Sequence, residues 1–395
     1  MKRLAVDGGA PVRAKMLPYG HQWIDDQDIV AVVDTLRSEW LTTGPRVAEF
    51  EAAFADRIGA KYAVAVSSGT AALHAAVYAA GIGPGDEVVV PPMSFVASAN
   101  CVRYVDGTVT FVDVRRDTLN LDPGQAESAI NNRTRAMVTV DYAGQPSDLN
   151  ELNQVARKHN LVVIEDGCHA LGATYCGRKV GTLAHLTTFS LHPVKHITTG
   201  EGGVVTTDDP EMASRLRSFR THGITSDARQ RETTGSWYYE MVDLGYNYRL
   251  TDFQCALGLS QLGKLSAWLK RRSEIAAIYS AALSELPEIE LPAVLPDRES
   301  AWHLYVLRLN LDQLRVGRTE VFRALRAENI GVNVHYIPIP WHPYYQKRGY
   351  SKGQWPVAES AYERLISIPI WAGMNDQDVD DVILAMKKVI NEYRI

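Results

Sequence analysis

The chain has 395 residues, of which 46% are hydrophobic and 22% charged, and a formal net charge of -5. This length can bury one large core and a smaller one, and the acidic balance argues against a nucleic-acid or anionic-membrane surface, which needs clustered lysine and arginine. Four scattered cysteines, no membrane-length apolar run and no signal-peptide pattern lead us to expect a cytoplasmic globular protein without a zinc site or disulfide framework.

Seven short apolar runs rich in β-branched residues predict strands in the first 210 residues. They lie at 62–66, 87–90, 109–114, 136–140, 161–164, 186–190 and 204–207. Helical patterns separate most of them, for example at 70–80 and 148–159. Strands that are apolar throughout and joined by crossover helices indicate an α/β domain, with a mostly parallel sheet covered on both faces.

The pattern changes after about residue 250. A long helical pattern at 251–286 is followed by a strand at 303–309, a helix at 319–328, a strand at 331–337 and an amphipathic helix at 376–393. The sequence therefore predicts two domains, a large α/β domain of residues 1–250 and a smaller α+β domain of residues 251–395.

The first candidate for chemistry is the serine-rich turn before the helix at 70–80. A helix N-terminus has unpaired backbone amides and a positive dipole end, so a phosphate group docks there readily. Gly69 would let a ligand approach the backbone, and Thr70 would add a hydroxyl donor. Considered alone, the motif is explained more simply by a serine N-cap that binds nothing.

The second candidate is the acidic pair Glu165 and Asp166 at the end of an apolar run. Sheets of the α/β class place ligands at such strand ends, where a carboxylate can hold a protonated ring nitrogen. His169, three residues on, could reach a second substituent of the ring. The alternative is a strand-end aspartate that only caps the next turn.

The third candidate is Lys195, in a segment crowded with glycine, threonine and histidine. A partly desolvated lysine has a lowered pKa and can bond covalently to a carbonyl carbon. His192 and His196 have no third histidine or carboxylate at a supporting spacing, so we expect no metal site.

Together the three segments supply what a pyridoxal-phosphate site requires. The cofactor needs an anchor for its phosphate, an anion opposite its pyridinium nitrogen and an amine for its aldehyde. A nicotinamide-dependent enzyme would instead need a G-x-G-x-x-G turn after the first strand, which residues 67–70 do not provide.

From about Pro18 to its C-terminus, the chain resembles the sugar aminotransferases of the DegT/DnrJ/EryC1/StrS family. Six segments carry the resemblance: residues 40–45, 68–70, 85–88 and 165–170, the Lys195 loop, and residues 245–249. The resemblance implies the aspartate-aminotransferase-like fold, which is fold type I of pyridoxal-phosphate enzymes. In that fold a large domain with a mostly parallel seven-stranded sheet is joined to a smaller C-terminal α+β domain.

The resemblance also implies residue roles, carried over by position. Lys195 matches the lysine that bonds to the cofactor and moves protons. Asp166 matches the partner of the pyridine nitrogen, and His169 the neighbour of the ring hydroxyl. Family members with histidine in place of the lysine perform dehydration, and Lys195 argues against that activity here.

Further residues match the positions that hold the cofactor. Phe95 matches the aromatic residue that stacks on the ring, and Gly69, Thr70 and Ser190 match the phosphate cradle. Asn247 matches a residue that reaches the phosphate in the other subunit of a homodimer. The resemblance therefore implies a homodimer with shared active sites.

Residues 140–146, 257–262 and 334–340 resemble more closely the C4 aminotransferases of pseudaminic acid biosynthesis. This implies transfer of an amino group from L-glutamate to UDP-2-acetamido-2,6-dideoxy-β-L-arabino-hex-4-ulose, with His335 and Tyr336 near the nucleotide phosphates. Arg249 is a candidate partner of the glutamate carboxylate, although a surface salt bridge explains it equally well.

Two alternatives remain open at the level of sequence. One is another nucleotide-sugar aminotransferase, of the perosamine type, the 4-amino-arabinose type or a type acting at C3. The other is a non-catalytic regulator that keeps the cofactor and the fold. The presence of both Lys195 and Asp166 disfavours the regulator.

Overall fold

The computed structural model describes residues 3–226 and 228–395. Its strands are β1 (Tyr62–Val66), β2 (Glu87–Val90), β3 (Thr108–Phe111), β4 (Thr134–Val140), β5 (Val162–Asp166), β6 (Thr174–Tyr175), β7 (Arg178–Lys179), β8 (Leu186–Ser190), β9 (Gly203–Thr207), β10 (Ile289–Glu290), β11 (Arg298–Glu299), β12 (Tyr305–Leu309) and β13 (Leu365–Ile368).

The helices lie between and after these strands. They are α1 (Asp26–Leu36), α2 (Pro45–Ile58), α3 (Gly69–Ala79), α4 (Ala97–Tyr104), α5 (Pro123–Ser128), α6 (Leu149–His159), α7 (Pro210–Phe219), α8 (Ala228–Thr234), α9 (Asp252–Leu283), α10 (Arg318–Ala327), α11 (Pro343–Gln346), α12 (Pro356–Arg364) and α13 (Asp376–Tyr393).

The central sheet has seven strands in the order β1-β9-β8-β5-β4-β2-β3. Its pairings are parallel from β3 through β2, β4 and β5 to β8, whereas β9 is antiparallel to both β8 and β1. All seven predicted apolar runs lie in this sheet, which confirms the mostly parallel seven-stranded prediction. The third strand ends at Phe111 rather than Val114, because Val114 forms a separate bridge to Leu121.

Helices cover both faces of the sheet, which explains why its strands are apolar throughout. In β2, for example, Val88, Val89 and Val90 are all fully buried. Val88 and Val90 pack into the cluster under α3 and α4, whereas Val89 packs on the opposite side with residues of α6. Burial on both faces removes the polar alternation of a half-exposed strand.

A smaller antiparallel sheet, β10-β12-β13, lies in the C-terminal part of the chain. It shares a hydrophobic core with α9, α10 and α13. The predicted strand at 331–337 is wrong. Only Asn333 in this segment pairs with β13, through mutual backbone hydrogen bonds with Ser367 of 3.0 and 2.8 Å. Beyond it, residues 334–336 line a cavity, and Pro338 and Pro340 have no amide to continue a ladder.

Helix α9 joins the two parts of the protein. Thr251 and Gln254 form its N-terminal capping box. Its first half packs with α2 through Cys255 and Leu265, and its second half enters the core of the smaller sheet through Ile275. One helix therefore contributes to two cores, and the domain boundary near residue 250 stays a prediction.

Two glycines of α9 should respond in opposite ways to alanine substitution. A Cβ at position 258 would lie 2.7 Å from Cε2 of Phe50, so Gly258→Ala should destabilise the protein by about 1–3 kcal/mol through overpacking. No heavy atom lies within 4 Å of the corresponding position at 263. Gly263→Ala should therefore stabilise the helix by about 0.5–1 kcal/mol. Denaturant titrations give both free energies of unfolding, and equal effects would contradict the role assigned to Phe50.

In the described ranges, no helix has an apolar stretch long enough to cross a membrane. All four cysteines, Cys101, Cys168, Cys176 and Cys255, are free thiols. The cytoplasmic location stays a prediction.

Candidate active site

A cavity of about 540 Å³ opens at the carboxyl ends of the parallel strands. Its lining includes the final residues of β4, β5 and β8, which are Val140, Asp166 and Ser190. Residues 333–336 and Tyr19 contribute from the C-terminal and N-terminal parts of the chain. Strand-end side chains and helix N-termini meet at this edge of an α/β sheet, which makes it the expected place for a ligand.

The first turn of α3 forms one side of the cavity. Ser68 caps the helix, its Oγ accepting a hydrogen bond of 3.0 Å from the amide of Ala71. The amides of Gly69 and Thr70 have no acceptor within the helix and lie at its positive end. A Cβ at Gly69 would lie 2.8 Å from that of Ser190, so glycine allows this close approach to β8. The arrangement fits a phosphate group.

Asp166 presents a buried carboxylate to the cavity, with 5% of the residue exposed. Ser98 donates its hydroxyl hydrogen to Oδ2 at 2.6 Å, and the amide of Cys168 donates to Oδ1 at 3.3 Å. Within the described chain, no lysine or arginine forms a salt bridge with Asp166. A buried carboxylate without a cationic partner favours a positively charged ligand atom.

Lys195 lines the same cavity from the loop after β8. Its Nζ lies 3.4 Å from Nε2 of His303. Burial lowers the pKa of Lys195 from its ordinary value, against the opposing effects of Cys168 and Asp166. Because its pKa is lowered, the ammonium group of Lys195 loses its proton at a lower pH than an ordinary lysine does. The neutral amine can then act as a nucleophile or a base.

His169 lies between Tyr336 and His303. Its Nε2 is 3.1 Å from the hydroxyl of Tyr336, and its ring centroid is 4.4 Å from that of His303. Burial, followed by the charge of Lys195, lowers the pKa of His169 well below its ordinary value, so the ring is neutral. Its Nδ1 is buried without a partner among the described residues. This nitrogen therefore has hydrogen-bonding capacity left for a ligand.

Phe95 and His335 also line the cavity. Phe95 is 56% exposed, so its ring is free to contact a ligand. Both ring nitrogens of His335 already have partners, since Nδ1 is 2.8 Å from Oγ of Ser367 and Nε2 is 3.3 Å from Nδ2 of Asn333. The predicted contact of His335 and Tyr336 with nucleotide phosphates stays a prediction, and Tyr336 lies next to His169 instead.

Two predicted residues lie outside the cavity of their own chain. Asn247 is exposed and pairs through its backbone with Thr221. Arg249 is partly buried, and neither residue lines the cavity. The predicted role of Asn247 in the site of another subunit, and that of Arg249 at the glutamate carboxylate, stay predictions.

Sequence reasoning missed several lining residues, above all Ser98 and His303. Ser98 follows the predicted ring-stacking residue Phe95 by three positions, but nothing in the sequence pairs it with Asp166. His303 was predicted only as the first residue of a strand, and it is 108 positions from Lys195. Contacts between such distant positions have no signal in a single sequence.

The histidines around Lys195 do not form a metal site by geometry. His169, His196 and His303 are neighbours. The ring centroid of His303 lies 4.4 Å from that of His169 and 5.6 Å from that of His196. No group of three or more histidine, cysteine, aspartate or glutamate residues in the described ranges has an arrangement that could hold a metal ion.

The residues of the cavity fit the groups of pyridoxal phosphate. The α3 turn with Ser190 fits its phosphate, and the unpaired carboxylate of Asp166 fits its pyridinium nitrogen. Lys195 supplies an amine of lowered pKa for its aldehyde, and Nδ1 of His169 is free for a ring substituent. The donor set matches what that cofactor requires.

Comparison with known proteins agrees with this reading. Residues 22–387 match the model of the DegT/DnrJ/EryC1/StrS aminotransferase family. The chain is 44% identical to the spore coat polysaccharide biosynthesis protein SpsC of Bacillus subtilis over 381 residues, which are 96% of this chain and 98% of SpsC.

Solved structures of sugar aminotransferases superpose closely. The putative sugar aminotransferase Spr1654 from Streptococcus pneumoniae in its PMP-form is 33% identical, with a TM-score of 0.90 over 95% of this chain and 99% of that one. PseC of Helicobacter pylori, described as an aminotransferase involved in the biosynthesis of pseudaminic acid, is 32% identical, with a TM-score of 0.90 over 96% of this chain and 100% of PseC. These similarities confirm fold type I.

Proposed function

Because the chain belongs to the DegT/DnrJ/EryC1/StrS aminotransferase family, we propose that it aminates C4 of a nucleotide-linked 4-keto-6-deoxy sugar with the amino group of L-glutamate. The family depends on pyridoxal phosphate, and its solved members include a putative sugar aminotransferase in PLP-form and PMP-form. The observation that carries the proposal is the convergence of Lys195, Asp166 and the α3 turn on one cavity. Their presence together disfavours a non-catalytic regulator.

Bound pyridoxal phosphate supplies an aldehyde that takes up an amino group from one substrate and delivers it to another, and a ring that withdraws electrons. We assign the phosphate to Gly69, Thr70 and Ser190. Asp166 keeps the pyridine nitrogen protonated, because a buried carboxylate beside a cation favours the charged form of both. Phe95, which is exposed in the cavity, covers the face of the ring.

We assign proton transfer at the reacting carbon to Lys195. Once its amine is free of the cofactor, Nζ must be neutral to remove a proton from the donor amino acid and protonated to return one to the sugar. Burial lowers the pKa of Lys195 from its ordinary value, which makes the neutral form easier to reach. The same side chain can therefore serve both halves of a transamination.

PseC supports the pseudaminic acid precursor as the first candidate for the keto sugar. PseC is involved in pseudaminic acid biosynthesis, and this chain matches it over nearly its whole length. The proposed substrate is UDP-2-acetamido-2,6-dideoxy-β-L-arabino-hex-4-ulose, as the resemblance of residues 140–146, 257–262 and 334–340 implies.

SpsC favours a second candidate, another nucleotide-linked keto sugar that is destined for a surface polysaccharide. Its identity of 44% exceeds the 32% of PseC, and its name refers to spore coat polysaccharide biosynthesis. Perosamine-type, 4-amino-arabinose-type and C3 aminotransferase activities belong to this candidate. Both candidates share the cofactor, the donor class and the assigned roles of Lys195 and Asp166.

A single-turnover assay distinguishes the candidates. Protein loaded with pyridoxamine phosphate is mixed with UDP-, dTDP- and GDP-linked 4-keto-6-deoxy sugars and with a 3-keto sugar, and the absorbance of the cofactor is followed as it returns to its aldehyde form. We expect fast return with the UDP-linked N-acetyl L-sugar. Fast return only with another sugar would identify that sugar as the substrate instead. No return with any sugar would contradict the proposed function.

A homodimer with shared sites is part of the proposal. The segment before Asn247 exposes large apolar side chains, among them Trp237 at 84%, Leu244 at 69% and Met241 at 65%. Contiguous exposed apolar residues mark protein interaction surfaces. Because Asn247 follows this segment directly, docking of the segment on a second copy would carry Asn247 toward the other site.

Mixing two inactive variants tests the shared site. In a homodimer, a hybrid of Lys195→Ala and Asn247→Asp chains has both defects in one site and neither in the other. Random exchange of subunits should therefore restore about a quarter of wild-type activity. The matched control mixes Lys195→Ala with Asp166→Asn, which both act in the site of their own chain and should restore nothing. Equal activities of the two mixtures would contradict the assignment of Asn247.

A further inference from the structure

His303 is the side-chain hydrogen-bond partner that the described chain provides for the amine of Lys195. Nε2 of His303 lies 3.4 Å from Nζ of Lys195. The ring centroid of His303 is 4.4 Å from that of His169 and 5.6 Å from that of His196. His303 therefore contacts the lysine and lies beside two other imidazoles, and its Nε2 is the ring nitrogen that faces Lys195.

The backbone, rather than the ring, fixes the position of His303. Arg272 of α9 donates hydrogen bonds to the carbonyl oxygens of Trp302 and His303 at 3.0 and 3.4 Å. On the other side, the amide of Leu304 donates to the carbonyl oxygen of Ala143 at 3.1 Å. Nδ1 of His303 is buried without a partner among the described residues. Among the described residues, the polar contact of this ring is therefore the one between its Nε2 and Lys195.

The ring of His303 is neutral. Burial lowers its pKa well below the ordinary value, and the charges of Lys195 and Arg272 act in the same direction, together with His169 and His196. A neutral imidazole has one ring nitrogen that accepts a hydrogen bond, whereas an imidazolium has none. Neutrality therefore allows Nε2 to accept a hydrogen from the ammonium group of Lys195.

We propose that His303 is a positioning residue for Lys195, accepting a hydrogen bond through Nε2 and so holding the free amine in the cavity. The proposal rests on the role of Lys195 in the proposed function. It requires the proton of the neutral ring to be on Nδ1 whenever Lys195 is an ammonium group. When Lys195 is not bonded to the cofactor, this contact holds Nζ in a fixed position in the cavity, ready for proton transfer.

The test measures the pKa of Lys195 in full-length protein freed of cofactor, from the pH dependence of competitive acetylation of this lysine followed by mass spectrometry. His303→Leu removes the acceptor that stabilises the ammonium form, so the pKa of Lys195 should fall by about one unit, a change of about tenfold in the protonation equilibrium. His303→Gln restores an acceptor oxygen and should return the pKa close to that of the wild type.

His196→Gln is the matched control. His196 is a buried neutral histidine of the same cluster, but its Nε2 bonds to the carbonyl oxygen of Ala301 at 2.9 Å instead of Lys195. Its substitution should leave the pKa of Lys195 unchanged. An unchanged pKa in His303→Leu, or an equal fall in all three variants, would overturn the proposal.

A measurement on the wild-type protein covers the case in which His303→Leu does not fold. Nitrogen NMR of protein labelled with ¹⁵N-histidine, with the His303 signals assigned from the His303→Gln spectrum, reports which ring nitrogen carries the proton. Protonation on Nδ1 below the pKa of Lys195 supports the proposal, and protonation on Nε2 contradicts it. Neither measurement uses a sugar, so failure of the proposed function in the substrate assay would be a separate result.

Discussion

Lys195→Ala should abolish transamination while leaving the fold and the phosphate cradle in place. Lys195 lines the cavity from the loop after β8, whereas the cradle is built from α3 and Ser190. The variant loses both the covalent hold on the cofactor and the group that moves the proton. We expect kcat to fall by more than about 10⁴-fold.

The measurement is steady-state transamination with the sugar identified by the single-turnover assay, in buffer free of small amines that could replace the side chain. Lys195→Arg is the control, because it keeps a positive charge in the cavity but stays protonated and cannot serve as the base. Both variants should still bind pyridoxal phosphate by equilibrium dialysis. Appreciable turnover by Lys195→Ala would contradict the assignment of Lys195.

Asp166→Asn should keep the fold but weaken cofactor binding and catalysis together. The side-chain oxygen of asparagine can still accept from the amide of Cys168, and its NH2 group can donate to the hydroxyl oxygen of Ser98, so local geometry is retained. The asparagine side chain carries no charge to hold the pyridinium proton. Loss of a buried charge pair costs about 2–4 kcal/mol, or roughly 30- to 1000-fold in affinity or rate.

Asp141→Asn is a matched control one strand away from Asp166. Asp141 is fully buried and accepts a hydrogen bond of 2.8 Å from the amide of Ser147, but it does not line the cavity. Burial, together with the neighbouring Glu165, raises the pKa of Asp141 well above its ordinary value, so the neutral amide is a close replacement. If both variants bound pyridoxal phosphate as tightly as the wild type, Asp166 would not be the partner of the ring nitrogen.

The three candidate motifs of the sequence all end in one cavity because each follows a strand of the same sheet. Gly69 follows β1, Asp166 ends β5, and Lys195 follows β8. The strands were recognisable because they are buried on both faces and therefore apolar throughout. Strand-end positions in such a sheet converge at its carboxyl edge, so local patterns were sufficient to place these residues together.

The segment at 331–337 shows where a local pattern misleads. Its apolar and β-branched residues resemble a strand, but Val332 packs in the core, residues 334–336 line the cavity, and only Asn333 pairs with β13. Burial in a cavity wall and burial in a sheet select the same residue types. Which of the two occurs depends on whether a backbone partner lies alongside, and the sequence does not contain that information.

The sequence by itself determined the fold class, the family resemblance and the candidates for cofactor chemistry, since each depends on residues that are close together in the chain. Only the tertiary structure brought Ser98 to Asp166 across 68 positions and His303 to Lys195 across 108. Such contacts arise from the packing of separate helices and strands, because a hydrogen bond requires atoms to be near in space and not in sequence.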